Sequence, residues 1–374
     1  MKLFAGVALI TALVTIPHSA FALDEQIKNY RGIRSAGMGG VITTTGNFAE
    51  ALFGNPARLS AVDVSKLTLL EITTEVNSNI LSDAGALSDI TGASGASQIV
   101  EGAKIMGRNQ HLRLQVLSAY YNPKFIGDMG FGFGLLASVQ TNLLVNYTTE
   151  FDTMAIADVG PVMGFSYPFL EGALLAGFNL KTLFRAAIYD RITSLDFLTG
   201  KKLEFETFGH QGVGIDADLG GYYRVPWNLP FMRLNVGASI SNLFKSHYDE
   251  FSPELLSGLK SRPPNNDRVL NIGTRLDFPD TWIFTAPLLA IEFQDLGSTT
   301  HEMSWAKSLH IGTEGKLSRA FAVRVGLNQG YLAAGIGLEL PLLKIDLATY
   351  GEELSGTAGE QEDRRFMLKI AFEI

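Results

Sequence analysis

The sequence predicts an all-β fold: a transmembrane antiparallel β-barrel of about 14 strands. Three observations lead to this prediction. Apolar and polar residues alternate with a period of two along most of the chain, the connections between these segments are alternately short and long, and the chain begins with a secretory leader.

The clearest alternation is at the carboxyl end, from Arg364 to Ile374. Alternate side chains of an extended chain point to opposite faces. One face of this segment is therefore apolar throughout, whereas Lys369 and Glu373 lie on the other face. Lipid covers such a face in a transmembrane barrel, whose strands are apolar outside and polar inside. The apolar face consists of Phe366, Leu368, Ile370, Phe372 and Ile374.

The same pattern recurs along the chain. Short strands at even spacing, with Gly, Pro and Asn turns between them, are typical of a barrel or a sandwich. The segment 154–167 is poorly patterned and contains Pro161, which cannot donate a hydrogen bond to a ladder. The predicted strands before the last one are 67–78, 111–122, 129–143, 154–167, 173–191, 212–225, 231–243, 268–278, 284–294, 307–315, 320–328, 331–340 and 342–350.

Connection lengths favour the barrel over the sandwich. Bacterial barrels have short periplasmic turns and longer outer loops. Counted back from the carboxyl end, every second connection is short, and the tight turn Gln329–Gly330 is the one exception in the long set. Within 79–110 the apolar residues have a loose helical spacing, which predicts a partly helical loop. The long set includes 79–110, 192–211, 244–267, 297–306 and 351–363.

Residues 1–22 have the features of a signal peptide. A positive start, an apolar run over 4–16 and the cleavage site Ala20-Phe21-Ala22 predict a mature chain that begins at Leu23. The alternative is an uncleaved membrane anchor. After this leader, the sequence contains no uncharged run of about eighteen apolar residues, so it predicts no membrane-spanning helix.

Composition excludes several classes of protein. Hydrophobic residues make up 46% of the chain and charged residues 18%, against about 25% charged residues in an average soluble domain. The chain has no cysteine, which excludes disulfides, thiol nucleophiles and thiolate metal sites. Its net charge of −8 argues against nucleic acid as a partner, since nucleic-acid binding needs a basic face.

Residues 23–66 precede the first predicted strand and contain three short motifs, Gly37-Met38-Gly39-Gly40, Ala49-Glu50-Ala51 and Asn55-Pro56-Ala57. Their order resembles the beginning of the FadL and PorV group of outer-membrane proteins, and TraF-like barrel proteins share these features. The resemblance implies a fourteen-stranded barrel over 67–374, with 23–66 folded into the lumen as a hatch. It also implies a location in the outer membrane of a Gram-negative bacterium, in contact with outer-membrane lipid. The hatch or ligand candidates are Gly37, Gly39, Gly40, Asn55, Pro56 and Ala57.

A set of charged residues opposes the apolar face of the predicted strands. A buried charge must be paired or solvated, so these side chains indicate either a network that locks the hatch in the lumen or a wet channel. We favour the network, because residues 23–66 need polar groups to bind. The predicted lumenal charges are Lys181, Arg185, Asp216, Asp218, Arg224, Arg233, Arg275, Asp277, Glu292, Glu314, Arg324, Glu339, Lys344 and Asp346.

No motif predicts an enzyme, a cofactor or a metal site. The run 130–134, GFGFG, lacks the Lys-Ser/Thr pair of a phosphate loop and fits a strand with small inward residues. The histidines lack the spacing of a metal site, and we interpret His310 as a hydrogen-bonded lumenal residue. One predicted outer loop has groups found in hydrolases, but no G-x-S-x-G elbow accompanies them. These groups are Asp295, Ser298, His301 and Ser304.

The resemblance implies passive uptake of a hydrophobic small molecule, fatty-acid-like or aromatic, through a hatch-gated lumen. The long outer loops 79–110 and 244–267 would capture the molecule, and a shift of the hatch would let it pass. The first alternative is a PorV-like docking or shuttle subunit that serves secretion or envelope proteins. The second alternative is an outer-membrane hydrolase. An apolar cavity that joins the outer loops to the lumen favours transport, whereas a tightly plugged lumen with a broad loop surface favours docking.

Overall fold

The computed structural model describes residues 26–62, 64–148, 150–201, 205–227, 229–249, 262–296, 304–318 and 320–374. The predicted signal peptide, 1–22, lies outside these residues. The strands are β1 (Lys66–Asn77), β2 (Gln110–Ile126), β3 (Met129–Val145), β4 (Phe151–Phe169), β5 (Leu174–Ile192), β6 (His210–Arg224), β7 (Arg233–Ser241), β8 (Tyr248–Asp249), β9 (Val269–Asp277), β10 (Thr285–Phe293), β11 (Leu309–Lys316), β12 (Phe321–Asn328), β13 (Tyr331–Leu340), β14 (Leu343–Glu353) and β15 (Glu362–Glu373).

Fourteen of these strands form one closed antiparallel sheet. The first strand β1 pairs with the last strand β15, with Ile72 opposite Ile370, and β5 pairs with β6. The two-residue strand β8 belongs to the connection between β7 and β9 and pairs with β6. The predicted 14-stranded barrel is therefore confirmed. A closed sheet leaves no unpaired edge, and a wall exposed to lipid requires this closure.

The outward face of the wall is apolar and the inward face is polar. In β1, the outward Leu70 and Ile72 are exposed, whereas the inward Glu71 and Glu75 are buried. Because the side-chain period is two, a slip of one residue would turn these carboxylates into the lipid. Lipid supplies the cover that the exposed apolar residues need.

Aromatic side chains mark the membrane surface on the side of the short turns. At the short-turn ends of β2 to β5, an outward ladder of rings has successive centroids 4.5, 5.3 and 5.4 Å apart. Farther around the same rim, Trp227 and Trp282 are exposed, and the exposed fraction of Trp282 is 94%. Aromatic girdles flank the apolar band of such barrels. The ladder consists of Phe125, Phe131, Phe165 and Phe178.

The barrel wall is taller on one side. Strands β2 to β5 have 17 to 19 residues, whereas β9 to β12 have 8 or 9. The tall side extends beyond the membrane on the side of the long connections, where loop helices cover it: Ile90 and Phe197 pack with Val145, Phe151 and Ile192. The partly helical loop predicted in 79–110 is confirmed. Among the described residues, no helix is long and apolar enough to span a membrane. The helices of the connections are Ser78–Gly92, Ala96–Ala103, Leu170–Gly172, Ser194–Leu198, Phe205–Phe208 and Trp305–Ser308.

Strand β4 extends beyond the predicted range 154–167 at both ends. At its outer end, Phe151, Asp152 and Met154 are all buried, since protein covers both faces of the wall there and the alternation is lost. Pro161 lies within β4, opposite Leu135 of β3. The register with β5 passes from Val159 to Val162, and this gap accommodates the missing N–H of the proline.

Candidate functional site

Residues 26–62, which we call the lumenal segment, lie inside the barrel. Its helices are Ile33–Gly37 and Ala49–Gly54 and the 3-10 helix Pro56–Ala61. On the tall side of the wall, Leu52 and Leu59 pack against Leu117, Leu136 and Val162 of β2 to β4. On the opposite side, Ile33 packs against β13 to β15 and Met38 against β10. The segment therefore fills the lumen with apolar contacts on both sides.

The glycine run Gly37-Met38-Gly39-Gly40 lies directly against the backbone of β11 to β13. Gly39 has a φ of +69°, and a Cβ there would be 2.4 Å from carbonyl oxygens of β11 and β12. From the wall side, a Cβ on Gly312 would be 2.1 Å from the Met38 carbonyl oxygen. The two backbones therefore touch, and glycine is required on both sides of the contact.

The second motif, Asn55-Pro56-Ala57, fixes the following turn. The Asn55 side chain accepts a hydrogen bond from the Ala57 N–H at 3.2 Å and donates to the Thr43 carbonyl oxygen at 2.8 Å. Pro56 occupies the first helical position, where its missing N–H costs nothing. Gly220 of β6 makes this close approach feasible, because a Cβ there would be 2.0 Å from Asn55 Oδ1.

A chain of ion pairs connects the helix Ile33–Gly37 to strands β11, β12 and β14. Arg34 donates two hydrogen bonds to the Glu314 carboxylate, at 2.9 and 2.7 Å. Glu314 also accepts from Arg324 at 2.7 Å, and Arg324 donates to Asp346 at 2.8 Å. All four side chains are largely shielded from solvent. Removing one partner would leave a buried charge unpaired, which is strongly destabilising.

Glu292 of β10 binds the backbone of the lumenal segment. Its Oε2 accepts the N–H groups of Ile42 at 2.9 Å and Thr43 at 2.8 Å, and its Oε1 accepts the Thr43 hydroxyl at 2.7 Å. The side chain is fully buried. Hydrogen bonds to a charged acceptor are about twice as strong as neutral ones, so this contact is a strong anchor.

Four further predicted charges brace the wall on the far side of the lumen. Lys181 pairs with Asp218 at 2.7 Å, and Arg185 is paired with a carboxylate of β4 at 2.7 Å. Asp216 accepts the backbone N–H groups of Phe244 at 2.9 Å and Ser246 at 2.6 Å. These contacts hold strands and the loop after β7 together. Through Asp158, the carboxylate paired with Arg185, they also reach Asn29 of the lumenal segment.

The remaining predicted charges lie at the inner rim and are not deep in the lumen. Arg224 and Arg233 are exposed, and Arg224 donates to the Gly172 carbonyl oxygen at 3.1 Å. Arg224 is the last residue of β6 and Arg233 is the first residue of β7. At these strand ends an inward side chain lies at the open rim of the barrel and stays exposed to solvent. The other rim charges form the pairs Arg275–Asp277 at 2.7 Å and Glu339–Lys344 at 2.6 Å.

Several anchors of the segment are absent from the predicted set. Gln115 of β2 accepts the Arg31 N–H at 2.8 Å and donates to the Arg31 carbonyl oxygen at 3.0 Å. The Arg31 guanidinium pairs with Glu352 at 2.6 Å, and Asn29 donates to Asp158 at 2.7 Å. Gln115 lies opposite the apolar face of β2. The period-two alternation therefore predicts it as lumenal if uncharged amide side chains are included with the charged ones.

Two cavities lie on either side of the lumenal segment. The outer cavity, of about 100 Å³, opens toward the long connections and is lined by Tyr30, Phe53 and Val269, by amide side chains and by the cationic residues Lys28, Arg31 and Lys181. The inner cavity, of about 290 Å³, opens toward the short turns and is lined mainly by charged side chains, among them Lys66 and Glu71. Apolar, amide and cationic residues thus line the outer cavity, whereas charged residues of both signs predominate around the inner cavity.

Solved structures match this chain over most of its length, whereas no protein-family model and no curated protein matches it. A deltaS2 mutant of the TodX monoaromatic hydrocarbon channel is 14% identical, with 92% of this chain and 97% of that chain covered and a TM-score of 0.51. The toluene transporter TbuX of Ralstonia pickettii is 12% identical, with 92% and 98% covered and a TM-score of 0.51. The CymD monoaromatic hydrocarbon channel is 11% identical, with 95% and 98% covered and a TM-score of 0.51. This chain has the fold of the FadL-family channels.

The position of the lumenal segment explains the glycine-rich run of β3. Gly132 faces the lumen, where a Cβ would be 3.0 Å from the Leu59 side chain, so the run provides room for the lumenal segment. His310 is also lumenal, and its ring bonds the Gly39 carbonyl oxygen at 2.7 Å.

The predicted hydrolase cluster is described in part. Ser298 and His301 lie outside the described residues, and the Ser304 hydroxyl accepts the Ala358 N–H at 3.2 Å. Within the described ranges, no group of three or more His, Asp or Glu side chains is placed to hold a metal ion.

Proposed function

We propose that this protein is an outer-membrane channel of a Gram-negative bacterium for passive uptake of hydrophobic small molecules. The observation that carries the proposal is the fold, which the chain shares over more than nine tenths of its length with a toluene transporter and two monoaromatic hydrocarbon channels. The signal peptide predicted over 1–22 and a carboxyl-terminal strand with one apolar face support the outer-membrane location.

Capture begins at the outer loops. Apolar side chains are exposed on the helices that cover the tall wall, so a hydrophobic molecule finds a surface there before it reaches the lumen. The second predicted capture loop, 244–267, lies partly outside the described residues. The exposed apolar residues are Leu81, Val100, Leu195 and Leu198.

The outer cavity then receives the molecule. Tyr30, Phe53 and Val269 supply apolar contacts, and amide side chains supply hydrogen bonds. Two cationic residues of the lining, Arg31 and Lys181, are already paired with carboxylates. An apolar cavity of about 150 Å³ binds benzene in another protein. The outer cavity, of about 100 Å³, therefore widens slightly when a single aromatic ring binds.

The density of anchors around the lumenal segment favours a second candidate function. A segment held by Arg34, Thr43 and Asn55 to three parts of the wall forms a firm plug. A plugged barrel suits a docking or shuttle subunit that serves secretion or envelope proteins. The two functions predict different phenotypes when the chain is deleted.

Uptake by cells that lack the chain tests the proposal. We expect a deletion strain to accumulate labelled toluene and labelled fatty acids more slowly, and the wild-type chain to restore the rate. Val269→Trp fills the outer cavity and is expected to remove the restored uptake. Ile272→Trp, on the lipid-facing side of the same strand, is the matched control. Unchanged uptake together with a defect in protein secretion would favour the docking function instead.

A further inference from the structure

One residue of the lumenal segment lines both the outer cavity and the inner cavity. This residue is Tyr30, and no other described residue lines both cavities. Its ring stacks on Phe53, with centroids 4.7 Å apart and an angle of 17° between the ring planes. Its hydroxyl donates to Glu71 Oε1 at 3.0 Å. Phe53 lines the outer cavity and Glu71 lines the inner one, so Tyr30 spans the partition from one face to the other.

We propose that rotation of the Tyr30 side chain opens the passage between the two cavities, while the rest of the lumenal segment stays in place. This inference rests on the proposed uptake function and assigns its gate to one residue. It replaces the shift of a whole hatch with a movement of one aromatic ring.

The contacts around Tyr30 explain why the side chain moves and the backbone does not. On one side, Asn29 is bonded to Asp158; on the other, both backbone polar groups of Arg31 are bonded to Gln115. Displacing the segment breaks these buried contacts and those of Arg34 and Thr43 as well. Rotating the Tyr30 ring breaks its stacking on Phe53, its hydrogen bond to Glu71 and its packing within the apolar core that it shares with Leu52 and Tyr121. The rotation therefore disrupts far less of the structure.

The stacked pair also indicates which molecules pass. When the Tyr30 ring rotates away, the face of Phe53 is uncovered, and an aromatic ring of the transported molecule can occupy the same position. Stacked and edge-to-face aromatic pairs are favourable beyond the area that they bury. A saturated acyl chain has no such face. We therefore assign single-ring aromatic compounds as the preferred substrate class, ahead of fatty-acid-like molecules.

Ionic conductance in planar bilayers tests the gate with the full-length protein. Tyr30→Ala removes the partition, so a steady KCl conductance is expected where the wild-type protein remains closed. Tyr121→Ala is the matched control, because Tyr121 is buried in the same core but lines the inner cavity alone of the two. The proposal is supported if Tyr30→Ala conducts and Tyr121→Ala remains closed. A closed Tyr30→Ala channel, or equal conductance in both variants, overturns it.

Cysteine labelling provides a second readout, since the chain has no cysteine of its own. A membrane-impermeant thiol reagent is expected to label Tyr30→Cys from either side of oriented vesicles, but Phe53→Cys from the outer side only. Labelling of Tyr30→Cys from one side alone overturns the proposal. Neither experiment requires a substrate. If the gate behaves as expected but deletion leaves toluene uptake unchanged, the partition stands and the proposed function fails.

The substrate class has its own test in the uptake assay. Phe53→Leu keeps an apolar side chain and removes the aromatic face. We expect this variant to slow the uptake of toluene and to leave the uptake of a labelled fatty acid at the wild-type rate. An equal loss for both compounds, or no loss for toluene, would contradict the assignment of aromatic substrates.

Discussion

Replacing Glu292 by alanine tests whether the wall holds the lumenal segment through this carboxylate. The substitution removes the acceptor of two backbone N–H groups, those of Ile42 and Thr43, and of the Thr43 hydroxyl. The site is fully buried. A buried donor left without a partner costs about 1–3 kcal/mol. With two N–H groups affected, the free energy of unfolding is expected to fall by about 2–6 kcal/mol.

Glu339→Ala is the matched control. Glu339 is also an inward glutamate in an ion pair, but 41% of its side chain is exposed at the inner rim. Loss of a solvent-exposed pair costs about 0–1 kcal/mol. Urea unfolding of both variants in lipid vesicles gives the two free energies, and amide hydrogen exchange at Ile42 and Thr43 reports local release. Equal losses for both variants, with unchanged exchange at these two amides, would refute the reasoning.

Three further perturbations test other parts of the structure. Val323→Arg places a charge on the lipid face of β12 and is expected to lower the free energy of unfolding by about 2–4 kcal/mol, as measured by unfolding in vesicles. Equal tolerance of arginine at Val323 and at the inward Ala322 would contradict the assigned faces. Gly39→Ala is expected to make the lumenal segment sensitive to added protease. Gly359→Ala is the control, because Gly359 has a φ of +89° but open space around its Cβ. If the lumenal segment is equally resistant to protease in both variants, the backbone contact of Gly39 is contradicted. Hydrogen bonds from a lysine ammonium and a threonine lower the pKa of Asp196 from 3.8 to about 2. The hydrogen bonds by which Asp196 caps the helix Ser194–Leu198 are therefore complete above the pKa of the unfolded chain and are lost as the pH falls toward 2. After correction for the activity of pepsin itself, pepsin should cleave this loop faster at pH 2 than at pH 4. Equal cleavage rates would contradict this prediction.

Strand positions could be predicted from the sequence wherever lipid covers one face and the lumen the other. Strand β13 has the bounds predicted for it, 331–340. The prediction weakened at the outer end of β4, where Phe151 and Asp152 are both buried. Loop helices and wall enclose that region from both sides, so burial there no longer alternates with a period of two.

The contacts of the site could be predicted only in part. Alternation correctly identifies Glu314 as inward, but its partner Arg34 is 280 residues away in the chain, and only closure of the barrel brings the two together. From the sequence alone, the glycine run 37–40 is a motif of the family resemblance. Its physical reason, a backbone contact with Gly312, depends on the register of β11 and cannot be derived from the motif alone.

Binding of a halogenated aromatic ring tests the central claim most directly. Crystals of the full-length protein soaked with 4-bromotoluene allow the bromine to be located by its anomalous signal. We expect a peak in the outer cavity, between Phe53 and Val269. Bromine signal confined to the lipid-facing surface, with the outer cavity empty at saturating concentration, would contradict the proposed uptake of hydrophobic molecules through the lumen.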